Sequence, residues 1–337
     1  MGSGIIQSKD LDIFVAECDR LGGIHSADCA EYLRDFSHEA RFQVDESLDP
    51  FSEEYTAQQI ALYEEISGRK LDQKTGEMTQ FNIEERISSA NPYGIDNITF
   101  IAKHSRCVLS SILAANLQPG ATILDMGSGW GLSSEMMAFC GAKVTAVDIN
   151  PDFVSLVQQR AQRIGLPVKP KLATFDDFET DEQFDMVFFY ECLHHAVRPW
   201  EVLKRVSKFL NPGGKIVFAG EPINGYWKHW GIRKDSLSIY CIRKFGWFES
   251  GWSLSFLTSA FQHAGLRLSA AEGVGLDGGV IGVAVRKEEQ DSHDFSFVTK
   301  VLPRRIAVGV EPKVSTLQKV VASFNKWKAP ARASNSS

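Results

Sequence analysis

The sequence predicts an α/β fold in which a doubly wound sheet of seven strands follows a helical cap and carries an aromatic-rich insertion. Apolar runs of strand length alternate with amphipathic helical patterns between residues 116 and 290, and a glycine-rich loop follows the first run. Helical patterns occupy residues 1–115, and residues 291–337 contain one amphipathic segment. We therefore expect a cap at 1–115, a core at 116–290 with an insertion at 223–252, and a tail at 291–337.

The core begins with the stretch ATILDMGSGWGLSSEMMAFCGAKVTAVDIN at residues 121–150. Residues 121–126 predict a strand buried on both faces, residues 132–140 a helix, and residues 143–147 a second strand. Gly127, Gly129 and Gly131 follow the first strand, and Asp148 ends the second. Glycines let backbone N–H groups approach a ligand, and an acid at the second strand tip can accept from a ribose diol. A ligand site is predicted here, and an ordinary βαβ turn is the alternative.

The alternation continues to residue 286. Asn150 as N-cap and Pro151 at the first position predict a helix over 151–164. Further strands are predicted at 168–173, 184–190 and 215–219, with helices at 199–210 and 253–264. The last two apolar runs, 267–272 and 280–286, predict a terminal strand pair. In the cap, helices are predicted at 53–67 and 98–113.

The loop G-S-G-W-G after Asp125, followed by V-D at the second strand tip, resembles class I S-adenosylmethionine-dependent methyltransferases. It departs from the G-x-G-x-x-G spacing of dinucleotide-binding loops. The resemblance covers residues 100–287 and implies a Rossmann-like sheet with S-adenosylmethionine as cofactor. It implies that Asp125 and the loop surround the methionine part and that Asp148 binds the ribose. The cofactor residues so predicted are Asp125, Gly127, Ser128, Gly129, Trp130, Gly131, Asp148, Ile149, Thr174, Phe175, Asp176 and Tyr190.

The adenine position departs from the family pattern. The family usually has an acid directly after the third strand, and Thr174 occupies that position in this sequence. We expect Asp176 to replace the acid and Phe175 to flank the adenine ring, with solvated turn acids as the alternative. In such an enzyme the cap would lie over the cofactor, and Tyr93 and His104 are polar pocket candidates within it.

His194 and His195 follow the fourth predicted core strand, and Glu221 follows the fifth. Transfer of a methyl group to a hydroxyl needs a positioned acceptor and a base. The pattern predicts His195 as the base, His194 as the second choice, and Glu221 as the carboxylate that orients an imidazole. L-H-H with this carboxylate resembles metal-independent sugar O-methyltransferases. No metal is predicted, although Glu191 together with these three residues could supply ligands.

The insertion 223–252 follows the fifth strand tip and is rich in aromatic and basic residues. These are Trp227, Trp230, Trp247, Trp252, Tyr226, Tyr240, Lys228, Arg233, Lys234, Arg243 and Lys244. Aromatic faces beside cations suit a sugar, and a structural flap is the alternative. The strings ALYEEISGRKLDQKTGEMTQF, GEPIN, WGIRKDS and IRKFGWFESGW resemble methyltransferases of bacterial polysaccharide gene clusters. That resemblance implies a saccharide acceptor, either small or lipid-linked.

Composition limits the remaining functions. The net charge of −6 argues against a general nucleic-acid binder. Six cysteines without a C-x-x-C pair favour free thiols in a reducing compartment, and we expect neither a signal peptide nor a membrane-spanning segment. We expect a cytoplasmic protein. The tail segment 313–328 could lie on an anionic membrane or dock a partner, with packing against the body as the alternative.

The sequence therefore predicts O-methylation of a saccharide hydroxyl by a histidine-assisted, S-adenosylmethionine-dependent enzyme. Two alternatives remain. One is N- or C-methylation of another small molecule, in which His194 and His195 would only line the pocket. The other is a catalytically idle scaffold that binds the cofactor.

Overall fold

A computed structural model describes residues 5–76, 81–273 and 275–298 of the chain. Its strands are β1 (Ile5–Gln7), β2 (Ser37–Glu39), β3 (Thr122–Met126), β4 (Lys143–Asp148), β5 (Val168–Leu172), β6 (Phe184–Tyr190), β7 (Leu210–Ala219), β8 (Trp230–Ile232), β9 (Ser250–Trp252), β10 (Leu266–Glu272) and β11 (Val280–Arg286). Its α-helices are α1 (Leu11–Arg20), α2 (Ala27–Tyr32), α3 (Glu53–Ser67), α4 (Ile83–Ser88), α5 (Ile98–Ala115), α6 (Leu132–Phe139), α7 (Pro151–Ile164), α8 (Pro199–Val206), α9 (Ser236–Phe245) and α10 (Leu254–His263).

The core sheet has seven strands in the order β10–β11–β7–β6–β3–β4–β5, which confirms the predicted sheet. β3, β4, β5, β6 and β7 are parallel, whereas β11 runs antiparallel to both β7 and β10. From β3 the chain proceeds to β4 on one side and later to β6 on the other. The order therefore reverses at β3, and open α/β sheets bind ligands outside the carboxyl ends of the strands at such a point.

Most predicted elements agree with the structure to within two residues, and the region around β7 is the exception. The helix predicted over 199–210 ends at Val206, and the strand predicted at 215–219 begins five residues earlier, at Leu210. β7 pairs Leu210 with Phe184, and the register then shifts before Met186 pairs with Lys215. A glycine in a strand often marks such an irregularity, which explains why the sequence resembles a turn.

The cap and the insertion pack against each other along α3. The Tyr55 hydroxyl donates to the Trp230 carbonyl at 2.6 Å, and the Tyr63 hydroxyl donates to the Gly246 carbonyl at 2.6 Å. The buried amide of Gln59 accepts from the Ile232 backbone N–H at 3.0 Å. By contrast α5, the last helix of the predicted cap, packs against α6 and β7. That helix is therefore part of the layer that covers the core sheet.

The segment after β11 returns along α5, where the Asp294 backbone N–H donates to the Ala114 carbonyl at 2.9 Å and Phe295 is buried. The predicted amphipathic segment 313–328 lies outside the described residues. All six cysteines are free thiols, as predicted. In the described parts of the chain, none of the helices has the length and apolar character needed to cross a membrane.

Candidate active site

Asp125 lies near the end of β3 and is almost fully buried. Its Oδ2 accepts from the hydroxyls of Ser133 at 2.7 Å and Ser134 at 2.5 Å, which ties the start of α6 to the strand. Its Oδ1 is buried and has no hydrogen-bond partner among the described residues. Burial raises the pKa of Asp125 to about 6. An unpartnered buried oxygen is rare in a native protein, and it fits a donor group supplied by a ligand.

The loop after β3 is built from three glycines with positive φ: 67° at Gly127, 49° at Gly129 and 88° at Gly131. A Cβ at Gly127 would lie 2.8 Å from Cβ of Cys192, and one at Gly131 would lie 2.8 Å from Cγ2 of Val157. A Cβ at Gly129 would meet nothing within 4 Å. The two outer glycines are therefore required by close packing, and the middle of the loop offers open backbone to a ligand. Between them, Ser128 is buried and Trp130 is half-buried.

Asp148 ends β4 and faces this loop. Its Oδ2 accepts from the Gly129 backbone N–H at 2.7 Å, and its Oδ1 accepts from the Asn150 backbone N–H at 2.8 Å. Burial raises the pKa of Asp148 to about 6. A carboxylate offers about four acceptor positions, so each oxygen can accept once more, as a ribose diol requires. Ile149 follows, half-buried at the strand tip.

At the tip of β5, Thr174 forms a turn with Asp177. The backbone N–H and the hydroxyl of Thr174 both donate to Oδ1 of Asp177 at 2.7 Å. The exposed Asp176 instead donates its backbone N–H to the Thr174 hydroxyl at 3.2 Å. Phe175 borders the glycine loop, with its Cζ 3.3 Å from the position of a Cβ on Gly127. Adenine binding by Phe175 and Asp176 stays a prediction.

Aromatic side chains from the N-terminal region cover the glycine loop. The Phe81 ring centroid lies 4.5 Å from that of Trp130 and 5.0 Å from that of Phe153, and the Tyr93 and Trp130 centroids are 6.2 Å apart. The fully buried Arg160 of α7 holds this segment by donating to the carbonyls of two residues at the end of α4, Arg86 at 2.7 Å and Ser89 at 2.8 Å. The N-terminal segment therefore covers the glycine loop, and its position over a bound cofactor stays a prediction.

Glu221, just after β7, holds the turn that contains the predicted histidines. Its carboxylate accepts from the backbone N–H groups of Cys192 at 3.1 Å, Leu193 at 2.9 Å and His194 at 3.1 Å. Its Oε2 also lies 2.9 Å from Nδ1 of His194. Burial raises the pKa of Glu221 to about 7. Glu221 therefore lies where it can orient the His194 imidazole, and its role in catalysis stays a prediction.

Glu249 of the insertion completes this cluster, and the sequence reasoning missed it. Its Oε2 lies 3.6 Å from Nε2 of His194 and 3.3 Å from Nη1 of Arg233. Both ring nitrogens of His194 therefore face a carboxylate. Burial lowers the pKa of His194 to about 4, although the Glu249 charge acts in the opposite direction. Glu249 precedes β9 in a segment whose sequence pattern is aromatic, so no signal pointed to an acid in the site.

His195 is half-buried beside this cluster. Its Nδ1 lies 3.1 Å from the Phe248 carbonyl, and its ring centroid lies 4.3 Å from that of His194. Ligand atoms of His194, His195 and Glu249 all lie within 4.8 Å of one another, so these three side chains could hold a metal ion. This set differs from the metal alternative raised by the sequence, because Glu249 takes part while Glu221 orients His194. The role of His195 as a base stays a prediction.

A second cluster of acid–base groups forms at the tip of β6. The buried Tyr190 hydroxyl is hydrogen-bonded to Nδ1 of His104 on α5, and Oε2 of Glu191 lies 3.3 Å from the same nitrogen. Glu191 has a φ of 51°, the left-handed region that a non-glycine residue rarely adopts. Tyr190 was predicted as a cofactor residue and His104 only as a pocket candidate. Their contact spans 86 positions in the chain, and no local pattern encodes it.

The structure corrects the interpretation of the insertion as an aromatic binding face. Trp230 and Trp252 are fully buried, and the Trp230 indole N–H donates to the Pro50 carbonyl at 2.9 Å. Two of the basic residues pair with the cap: Arg243 with Asp12 and Lys244 with Asp19, both at 2.6 Å. Most of the insertion is therefore core. Tyr226, which is 60 % exposed, and the adjacent half-buried Trp227 remain at the surface, with ring centroids 5.2 Å apart.

The chain is similar to known methyltransferases. Residues 124–218 match a protein-family model described as a methyltransferase domain. The ubiquinone biosynthesis O-methyltransferase of Xanthomonas axonopodis pv. citri is 36 % identical over 107 residues, which are 31 % of this chain and 45 % of that protein. Its counterpart from Xanthomonas euvesicatoria pv. vesicatoria is 35 % identical over 99 residues, which are 29 % of this chain and 41 % of that protein. The matched segments thus span less than half the length of these relatives.

A solved structure similar to this one is the magnesium protoporphyrin IX methyltransferase of Synechocystis PCC 6803 with bound S-adenosylmethionine. It is 19 % identical, with a TM-score of 0.46, and the alignment covers 64 % of this chain and 98 % of that one.

The family match and the strand order confirm three predictions. The fold is that of class I methyltransferases, residues 124–218 form a methyltransferase domain, and S-adenosylmethionine is its cofactor. The unpartnered Oδ1 of Asp125 and the open backbone at Gly129 fit that cofactor. The match contains neither the cap nor the insertion. None of these similarities supports the resemblance to polysaccharide-cluster enzymes.

Proposed function

We propose that this chain transfers a methyl group from S-adenosylmethionine to a hydroxyl oxygen of a saccharide. The observation that carries the proposal is the concentration of imidazole and carboxylate groups at the tips of β6 and β7, beside the glycine loop. A neutral hydroxyl must lose a proton to become an adequate nucleophile, whereas a free amine already carries its lone pair. An edge with several acid–base groups therefore suits an oxygen acceptor.

The residues form two groups at the carboxyl ends of the strands, one for the cofactor at β3 and β4 and one for the acceptor at β6 and β7. S-adenosylmethionine supplies, when bound, a methyl group that its sulfonium charge activates. Asp148 would accept from the ribose hydroxyls, and Asp125 with the loop 127–131 would hold the methionine part. At the tips of β6 and β7 an imidazole would take the proton from the acceptor. Two imidazoles are available: His195, which the sequence pattern favours, and His104, which the Tyr190 hydroxyl contacts.

The acceptor class is argued from the exposed aromatic surface of the insertion. Tyr226 and Trp227 offer an accessible aromatic surface, and Lys228 follows them, which suits a sugar. A second candidate acceptor is a hydroxyl of a ubiquinone precursor. It is favoured by the name of the Xanthomonas axonopodis relative, which is 36 % identical to this chain over 107 residues.

The test is a mass-spectrometric transfer screen with S-adenosylmethionine that carries a deuterated methyl group. The panel holds nucleotide sugars, lipid-linked oligosaccharides, capsular fragments and phenolic ubiquinone precursors, each with and without a chelator. The expected result is label on a saccharide oxygen that persists with chelator. Label on a phenol would mean that the acceptor is a phenol and not a saccharide. Activity that only a divalent ion restores would make His194, His195 and Glu249 metal ligands. Label on nitrogen or carbon, or cofactor binding without transfer, would overturn the proposal.

A further inference from the structure

We propose that His104 is the catalytic base, and that Tyr190 and Glu191 are positioning residues that fix its tautomer. The inference rests on the proposed function and deepens it, because it assigns the proton transfer to a cluster that joins α5 to the tip of β6. His195, the base that the sequence pattern favours, is then not the proton acceptor and lies in the cluster with His194.

The contacts of the cluster determine which ring nitrogen of His104 carries the proton. Nδ1 of His104 faces two oxygens: the Tyr190 hydroxyl, to which it is hydrogen-bonded, and Oε2 of Glu191, which lies 3.3 Å away. A carboxylate can only accept, so Nδ1 of His104 carries the proton that faces Glu191. In this tautomer Nε2 of His104 carries the lone pair. Nε2 makes no hydrogen bond within residues 5–76, 81–273 and 275–298, and the side chain keeps 8 % of its surface exposed.

The cluster borders the cofactor loop. Tyr93 connects the two, since its ring centroid lies 5.6 Å from that of His104 and 6.2 Å from that of Trp130. Tyr190 ends β6 and Glu191 follows it, and β6 pairs directly with β3, the strand that leads into the loop. The acceptor would therefore meet His104 close to the position where the loop holds the methyl donor.

The backbone at this point is shaped to present the Glu191 carboxylate. Glu191 adopts a φ of 51°, and such left-handed conformations of non-glycine residues persist where the surrounding structure enforces them, commonly at functional sites. Gly220 makes room for it, because a Cβ there would lie 2.4 Å from Cγ of Glu191. In the neighbouring cluster both ring nitrogens of His194 face carboxylates, so His194 is less suited to take a proton from an acceptor.

The chemical step balances without a further reactant. A lone pair of the acceptor oxygen forms the bond to the methyl carbon, the carbon–sulfur bond breaks, and its electron pair stays on sulfur to give S-adenosylhomocysteine. The acceptor proton moves to Nε2 of His104. The resulting imidazolium is stabilised by the Glu191 carboxylate, which lies 3.3 Å from Nδ1, and the proton leaves to water after the product departs.

Activity of the full chain gives the first test, with whichever acceptor of the screen the wild-type protein methylates. His104→Gln should lower kcat about 10²- to 10⁴-fold while the affinity for S-adenosylmethionine stays within about twofold. Added imidazole should partly restore turnover of His104→Ala, which a merely structural role would not allow. Tyr190→Phe and Glu191→Gln should lower kcat with little change in KM. His263→Gln, an exposed histidine outside the site, is the matched control and should leave kcat unchanged.

A second readout needs no acceptor and separates this inference from the proposed function. Nitrogen-15 spectra of histidine-labelled protein, assigned by the signal missing in His104→Gln, should show the Nδ1–H tautomer for His104 and a change of its shifts in Tyr190→Phe. An Nε2–H tautomer would overturn the inference even if transfer to oxygen is found. Unchanged kcat in His104→Gln, with a large loss in His195→Gln, would overturn it as well. If wild-type protein transfers to no oxygen, the proposed function fails, whatever the tautomer.

Discussion

The site has two parts, both at the carboxyl ends of the parallel strands, and the contacts that build them differ in sequence separation. At the β3–β4 edge, Asp125 bonds Ser133 across 8 positions and Asp148 bonds Gly129 across 19. At the β6–β7 edge, Glu221 meets His194 across 27 positions and His104 meets Tyr190 across 86. We call the tips of β3 and β4 the cofactor edge and the tips of β6 and β7 the acceptor edge. The first is contained in one stretch of sequence, whereas the second is assembled from the cap, the sheet and the insertion.

This difference shows which chemistry is shared and which is particular to this chain. The cofactor edge needs only a strand, a glycine loop and an acid at the next strand tip, and the family match covers that part. The acceptor edge depends on Glu249 from the insertion and His104 from α5, both outside the matched residues. Specificity for an acceptor is therefore expected to follow the cap and the insertion.

The largest expected effect tests whether the insertion is core or a binding face. Trp230→Ala removes a fully buried indole and should lower the free energy of unfolding by about 3–5 kcal/mol. Tyr226→Ala, at a side chain that is 60 % exposed, should change it by less than about 0.5 kcal/mol. Urea unfolding of both variants measures this. Equal stabilities would mean that the insertion does not contribute to the core.

The next effect concerns the carboxylate of the acceptor edge. Glu221→Ala leaves three backbone N–H groups and an imidazole buried without their acceptor, and should lower the free energy of unfolding by about 3 kcal/mol. Glu179→Ala breaks an exposed pair with Arg205 and should cost less than about 1 kcal/mol. The same urea series compares them. A similar small loss in both variants would show that Glu221 does not hold the histidine turn.

A smaller effect is expected when the cofactor edge is altered. Asp148→Asn replaces a charged acceptor by an amide and should weaken S-adenosylmethionine binding about 10- to 100-fold, the loss of one charge-assisted hydrogen bond. Asp181→Asn, an exposed acid beyond β5, is the control and should bind as the wild type does. Titration calorimetry gives both affinities. An Asp148→Asn variant that binds S-adenosylmethionine as tightly as the wild type would show that Asp148 does not bind the ribose.

The smallest effect is a pH dependence of the same binding. Burial raises the pKa values of Asp125 and Asp148 to about 6, so both carboxyls become protonated as the pH falls below that value and accept hydrogen bonds less well. Affinity for S-adenosylmethionine should therefore drop about tenfold between pH 7 and pH 5. The drop should be shallower in Asp148→Asn. Calorimetry across this range checks the sign, and an affinity that rises toward pH 5 would contradict it.

A feature of the site could be predicted from the sequence when the residues that form it lie close together in the chain. The sheet, the loop and the two acids were predictable because strand periodicity and glycine spacing are local signals. Glu221 was found because the carboxyl ends of neighbouring parallel strands meet at one edge. Glu249 and the His104–Tyr190 contact were not predictable, since no local pattern encodes which distant segment folds over a strand tip. Trp230 was misread because an aromatic residue of a buried core and one of a binding face look the same in sequence.

The most direct test of the two-edge account measures cofactor binding and single-turnover methyl transfer on the same preparations of three proteins. These are the wild type, Asp148→Asn and His104→Gln. The account predicts a crossed result: Asp148→Asn loses affinity for S-adenosylmethionine but transfers once saturated, while His104→Gln binds the cofactor normally and fails to transfer. Loss of binding in His104→Gln, or saturated Asp148→Asn that still does not transfer, would contradict the separation of the two edges.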